Sequence, residues 1–169
     1  IVLDGQEDDK AIRGVSRLPP DHTFIPHLQS AWTEPVIDGV HQGGAGLVMG
    51  VGGATLRQAL SRMATSLAMS SKGIEPQTAH QWIGSAFDLG LEVIRLGDGR
   101  FRIARLSEIR VDGHGLRLQD IFTFAYDRTA AGGSIEGSFN ATGTTPRIVE
   151  DLAAHGMMLD PRMFRRQTS

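Results

Sequence analysis

The chain has 169 residues and a mass of 18.2 kDa, with 40% hydrophobic and 21% charged residues; that balance excludes a disordered chain and suffices to bury a core. Seventeen basic residues against 19 acidic ones leave a net charge of −2, so nothing calls for nucleic acid or an anionic membrane as a partner. Cysteine is absent, which excludes disulfides, thiolate ligands and a thiol nucleophile and fits a reducing cytoplasm.

The first third is glycine-rich. Residues 1–3 read as a short strand and 8–17 as a short helix, with a break at Pro19-Pro20-Asp21. Thr23–Ile25 reads as a strand ended by Pro26, which has no amide to give a ladder. Residues 46–51 read as a buried strand with glycine at or near both ends. That is also the longest apolar stretch, far too short for a bilayer span. No signal-peptide pattern is visible, and the chain opens on Ile1 without Met, as a fragment or trimmed chain would.

From Thr55 the pattern is clearer. Thr55-Leu56-Arg57-Gln58 has the capping-box form, and Leu56, Ala59, Leu60, Met63, Ala64 and Leu67 follow at helical spacing. The spacing predicts a helix over 55–72, with Gly73 as a left-handed cap. Pro76 opens a second helix, with Ala79, Trp82, Ile83, Ala86 and Leu89 on one face and Gly90 closing it. The period then changes to two. Strands are expected over 91–96, 101–111, 116–126 and Ile135–Ala141, with turns at Gly97-Asp98-Gly99 and at Asp112-Gly113-His114-Gly115. Phe101 and Ile103 share one face of their strand, and Phe122, Phe124 and Tyr126 alternate along theirs. Thr145-Pro146 is expected to cap a short last helix through Ala154, closed by Gly156. The order is mixed α/β, then a helix pair, then an antiparallel meander.

Several short strings occur in fixed order in the second half. They are Ala59-Leu60-Ser61-Arg62-Met63, Arg95-Leu96-Gly97-Asp98-Gly99-Arg100, Leu106-Ser107-Glu108-Ile109 and Leu118-Gln119-Asp120-Ile121-Phe122. Gly137-Ser138-Phe139-Asn140-Ala141-Thr142-Gly143 and Leu159-Asp160-Pro161-Arg162-Met163-Phe164 complete the series. In this order and spacing the chain resembles the C-terminal region of Tad-type (Flp pilus) pilus-assembly/secretion ATPases, within the type II/type IV secretion ATPase superfamily. The resemblance runs from about Ser16 to Phe164.

It implies an α/β fold: the C-terminal half of a RecA-like ATPase domain with a helix pair and a C-terminal antiparallel β-meander. One domain over 1–169 is expected, with a degenerate RecA-like sheet core at 1–54, the helix pair at 55–90, the meander at 91–143 and a C-terminal helix at 144–165. It also implies a hexameric ring at the cytoplasmic face of the bacterial inner membrane. The implied partners are other secretion-ATPase subunits, identical or not, and an inner-membrane platform protein; neither nucleic acid nor direct membrane insertion is implied.

The chemistry of such a motor needs a glycine loop with Lys for the phosphates and Ser/Thr for magnesium. No Gly-Lys-Ser/Thr occurs in the chain, and in the family that loop lies upstream of the strand where this chain begins. Arg17-Leu18-Pro19-Pro20-Asp21 matches the stretch that precedes the family's Walker B strand. Counting on without a gap, the Walker B glutamate falls at His27 and the arginine after it at Gln29. The family's His box falls on Gly50-Val51-Gly52-Gly53-Ala54, with its histidine at Gly52. A carboxylate stays anionic at neutral pH and favours magnesium; an imidazole, with an ordinary pKa of about 6.5, does not replace it. Gly52 has no side chain with which to sense a γ-phosphate. Gln6-Glu7-Asp8 is a candidate remnant of the family's Asp box. No catalytic residue and no cofactor is therefore expected on this chain, and ATP with Mg only if a Walker A loop lies upstream.

Other readings stand beside these. Gly50, Gly52 and Gly53, between a strand and a helix, are candidates for a phosphate site at a helix N-terminus, against the simpler reading of a tight turn. His22, His27 and His41 form no paired ligand spacing, so no metal is expected. His80 and His155 are placed on helices, at the surface. Asp21 suits a turn, and Ser61 has no neighbouring His/Asp partner. Arg95, Arg100, Arg102, Arg105 and Arg117 cluster on the hairpins, as a solvated face or a subunit contact. Three functions remain open: a degenerate ATPase domain acting in ring assembly or regulation, part of an active motor, or a stand-alone protein-binding module.

Overall fold

The computed structural model describes residues 22–43, 46–70, 73–113 and 115–166. The expected strand at 1–3, helix at 8–17 and break at 19–21 lie outside them, as do Gln6-Glu7-Asp8, Asp21 and His114. The fold is mixed α/β and divides into two compact units, Ile1–Ala86 with Val111–Leu116, and Phe87–Arg110 with Arg117–Ser169.

In the first unit, β1 (Thr23–Ile25) pairs parallel with β2 (Leu47–Met49), in the register Thr23–Leu47, Phe24–Val48 and Ile25–Met49. Parallel neighbours need a crossover. A 3₁₀ turn (Ser30–Trp32) and helix α1 (Thr33–His41) supply it. No element was expected between residues 28 and 45. The signal was nonetheless there: Trp32, Val36 and Ile37 recur at helical spacing, and all three are buried.

β2 corrects the expectation of a buried strand over 46–51. It has three residues, and Val48 at its centre is 62% exposed. Phe24 and Val48 are partners in the register and both are exposed, so nothing among the described residues covers that face of the β1–β2 pair.

Helix α2 (Leu56–Ala68) starts as its sequence predicts. The Thr55 hydroxyl accepts from the Gln58 amide at 3.2 Å, and the Gln58 side chain accepts from the Ala54 amide at 2.9 Å. Ala59, Leu60, Met63, Ala64 and Leu67 are buried. The helix ends four residues before the expected 72. Met69 is its cap, and its amide donates to Thr65 O. Gly73 does have a positive φ of 57°, but it lies beyond the helix in a turn closed on Ser70 O.

Helix α3 (Pro76–Ala86) packs on α2 and buries Ala79, Ile83 and Gly84. A Cβ at Gly84 would lie 2.1 Å from Val111 Cγ2, so only glycine allows that approach. Leu89 and Gly90, expected on this helix and at its end, belong to the next strand.

A four-stranded antiparallel sheet follows in the order β3 (Leu89–Arg95), β4 (Phe101–Asp112), β5 (Gly115–Thr129), β6 (Ile135–Ala141); all of it but the β4–β5 tip belongs to the second unit. Gly99 takes the positive φ that the first hairpin turn needs. Asp98 accepts from the Ile135 and Arg100 amides, each at 3.0 Å, which ties this turn to the start of β6. Those two amides, Ile135 first, hold its carboxyl below the ordinary range.

Glu108 on β4 is 3% exposed. It accepts from Arg110 Nε at 2.7 Å, from the Arg147 amide at 3.0 Å and from Arg147 Nε at 3.2 Å. Burial pushes this carboxyl up, but the bonds from Arg110 and Arg147 together outweigh it and leave it below the ordinary range.

Arg147 is the N-cap of α4 (Ile148–Ala154), without a side-chain cap. The expected cap at Thr145-Pro146 is thus replaced by an anchor onto a buried carboxylate. A second 3₁₀ turn (Pro161–Phe164) buries Phe164 beside Phe122, which stacks on Phe139 at 5.5 Å.

Candidate functional site

A cleft of about 820 Å³ opens in the first unit. Three segments wall it: the chain after β1 from His27 to Glu34, the turn at Val51 and Gly52, and the face of α2 and its end from Arg62 to Ser70. It therefore sits at the carboxyl ends of two parallel strands, where chains diverge towards separate helices and leave a crevice. Leu28 N donates to Gly50 O and Gly50 N to Ile25 O, each at 2.8 Å, which extends the ladder beyond the strands and clamps the two loops together.

His27, Gln29 and Gly52, singled out from separate stretches of sequence, all line this cleft. His27, Gln29 and Gly52 are also exposed. The three glycines of the turn differ in what they do. A Cβ at Gly50 would lie 2.2 Å from Pro26 O, so the close passage of two backbones demands glycine. A Cβ at Gly53 would lie 3.1 Å from Ala59 Cβ and 3.2 Å from Thr55 O. At Gly52 the nearest atom is His27 Cε1 at 3.9 Å, an ordinary contact. Packing thus accounts for Gly50 and Gly53 and leaves Gly52 unconstrained. The start of α2 is satisfied from within: Ala54 N and Gln58 N bond side chains, and Ala59 N bonds Thr55 O. A phosphate at that helix start would have to compete with these bonds.

Sequence reasoning missed the α2 side of the cleft. Arg62, Ser66 and Ser70 recur every fourth residue and so form one stripe; that spacing was the available signal. Arg62 Nη1 donates to Gly52 O at 3.2 Å, and Ser66 Oγ donates to Ser30 O at 2.9 Å. The Ser70 hydroxyl oxygen is buried and has no hydrogen-bond partner among the described residues. Glu34 is the one carboxylate in the lining.

The other candidates are dispersed. His22 precedes β1 and His27 follows it, so they stand beyond opposite ends of one strand. His41 turns to α3, with its ring edge-on to Trp82 at 5.7 Å and Nε2 3.1 Å from Ser85 Oγ. His80 is half-buried rather than at the surface, with Nδ1 bonded to Pro76 O at 2.7 Å. His155 is exposed at the end of α4. Ser61 is half-buried on α2. Among the described residues no group of three His, Asp or Glu stands close enough to hold a metal ion, and no helix is long and apolar enough to cross a membrane. Of the arginines on the hairpins, Arg102 pairs with Asp98 at 3.7 Å and Arg105 with Glu92 at 3.4 Å and Asp120 at 3.3 Å. Arg95, Arg100 and Arg117 are exposed, and Arg95 Nε donates to Gly99 O.

No protein-family model matches the chain, and no curated protein matches it in sequence.

Proposed function

We propose that this chain is a degenerate secretion/pilus-assembly ATPase domain of the Tad type, built on the C-terminal half of a RecA-like fold. Its role is ring assembly or regulation in a bacterial type II/IV secretion system, at the cytoplasmic face of the inner membrane. Its partners are other subunits of the ring and a membrane platform protein.

One observation carries this reading. His27, Gln29 and Gly52 occupy the positions that the resemblance assigns to the Walker B glutamate, the arginine after it and the His-box histidine. They come from loops after two different strands, yet they line one cleft. A motor needs those three groups at one nucleotide. Here the same place offers an imidazole, an amide and no side chain. Phosphoryl transfer depends on several charged groups positioned together, so the cleft keeps its place in the fold without the set that drives hydrolysis.

The test is magnesium-dependent phosphate release from ATP by the purified chain, with His27→Ala and Glu34→Gln as controls. Release at the level of a buffer blank is expected for all three. Release well above the blank that either substitution abolishes would make the chain part of a working motor and overturn the reading.

A further inference from the structure

We propose that one face of the four-stranded sheet is where a second copy of this chain docks, sheet on sheet about a two-fold axis. The residues concerned all belong to the second unit. The contact goes beyond the proposed function, since it needs neither ATP hydrolysis nor its loss.

The registers define the face. Val93 pairs with Ile103 and Arg95 with Phe101 across β3 and β4, and Phe124 pairs with Phe139 across β5 and β6. Ser107 Oγ donates to Asp120 at 2.6 Å across β4 and β5. Side chains alternate between faces along a strand, so counting by twos from that bond brings Ile103 beside Phe124 and Phe101 beside Tyr126. Val93, Phe101, Ile103, Phe124, Tyr126 and Phe139 thus share one face. The other face of the same stretch carries Arg102, Ala104, Ala125, Ser138 and Asn140. An antiparallel sheet that is apolar on one side and polar or small on the other is patterned for cover on the apolar side. Among the described residues, Phe164 closes one end of this face by lying against Phe122. Beyond that end Val93, Phe101, Ile103, Tyr126 and Phe139 are between 43% and 69% exposed. A Cβ at Gly137 would lie 2.3 Å from Phe124 Cζ, so that ring lies down on β6 and the face stays level.

Area and charge select the occupant. At roughly 200 Å² for a whole aromatic side chain, the open parts of Phe101, Tyr126 and Phe139 amount to about 350 Å². Val93 and Ile103 bring the open apolar patch to about 500 Å². A standard interface takes about 800 Å² from each partner, of which roughly 60% is apolar. The patch therefore matches what one copy must contribute to a stable dimer. The face is also neutral. Arg105 bridges Glu92 at 3.4 Å and Asp120 at 3.3 Å, and Arg95 donates to Gly99 O, so two arginines stand against two carboxylates. In a two-fold contact the same patch meets itself, and a face of one sign would repel its copy. A charged partner, by contrast, finds no excess charge here to hold it. The Tyr126 hydroxyl bonds Thr129 Oγ1 at 3.1 Å, so its ring can be covered without stranding a polar group. Sheets of one twist pack face to face with their strands about 30° apart, so a copy of the face has the twist that fits it.

The experiment follows the mass of the intact chain by sedimentation equilibrium over a dilution series, together with NMR spectra of 13C-labelled tyrosine and methionine. Tyr126 is the one tyrosine of the chain, so its ring gives a single signal on this face, and the exposed Met69 reports on the first unit. The mass is expected to rise from 18.2 kDa towards twice that value. The Tyr126 signal should move with the same midpoint while Met69 stays in place. Phe101→Lys, at the most exposed side chain of the face, should raise the dissociation constant at least tenfold and keep the far-UV circular dichroism of the wild type. Tyr126→Ser, which adds no charge, should raise it several-fold. Val48→Lys, at an exposed side chain of the first unit, should leave it unchanged. A chain that stays monomeric at every concentration would overturn the inference. Association that leaves the Tyr126 signal unmoved, or that Phe101→Lys and Tyr126→Ser do not weaken, would also overturn it; copies would then meet elsewhere, and the ring role would stand. ATP hydrolysis by a dimer that passes these tests would overturn the degenerate reading alone.

Discussion

At His27 the question is what one restored carboxylate would achieve. The side chain is exposed, so His27→Glu should be accepted by the fold. The glutamate would follow Pro26, whose fixed φ constrains how it is aimed, and Gly52 would still offer no sensor. Steady-state ATP turnover of His27→Glu is expected to stay at the wild-type level. A gain of a hundredfold or more would mean that a complete pocket was waiting for its base. The space beside Gly52 also permits the double change: a Cβ there meets only His27 Cε1 at 3.9 Å, so adding Gly52→His tests the chemistry without a steric penalty at the backbone.

Glu108 shows how a residue read only as part of a family string becomes structural. It is buried and anchors both Arg110 and the start of α4 through Arg147. Its carboxyl lies below the ordinary value of 4.5. A carboxylate whose folded pKa is depressed adds stability above its unfolded pKa and loses it as pH falls through the folded one. Stability should therefore fall with acid below about pH 4.5. Glu108→Gln should flatten that dependence and cost about 1–2 kcal/mol at pH 7, because the charge-assisted bonds to Arg110 and Arg147 are lost while both guanidinium groups remain partly solvated. Urea melts across pH 3–7 measure both; an unchanged acid slope would mean that another group carries it.

At the scale of elements, α2 is the clearest case of pattern becoming packing. Its buried positions are the predicted ones from Ala59 to Leu67. Leu60 is 4% exposed, so Leu60→Ala should cost about 2–5 kcal/mol through lost burial and the cavity left behind. A change under about half a kcal/mol in a denaturant melt would contradict that packing, since surface substitutions fall in that range. The neighbouring helix offers the opposite test. Gly84→Ala places a methyl against Val111 Cγ2 and should destabilise by roughly 1–3 kcal/mol despite the better helix propensity of alanine. Propensity alone predicts the reverse sign, so a stabilised variant would show that this contact can relax. α1 was missed because its apolar positions start in a 3₁₀ turn and Pro35 interrupts them, although proline in a first turn is no obstacle to a helix.

At the scale of the whole molecule, a role in ring assembly requires that the chain associate. Light scattering on the purified protein should give a mass that is a multiple of 18.2 kDa at tens of micromolar, or a mixed complex when an active relative is added. A strict monomer under both conditions would count against that role.

The sequence by itself determined most of the local structure from Thr55 onward. Capping residues, glycine turns and the switch from a period of 3.6 to 2 are local signals, and local physics decided the start and buried face of α2, the turn at Gly97-Asp98-Gly99 and β6. It also marked His27, Gln29 and Gly52 by position. Only the tertiary structure decided that these three share a cleft, that Arg62 and Ser70 complete it, and that Gly50 and Gly53 are glycines because backbone and helix pass too close for a side chain. The same holds for the exposure of β2 and the anchoring of α4 on Glu108. Each depends on residues far apart in the chain being brought within a few ångströms, and no periodicity along one segment encodes what another segment places beside it.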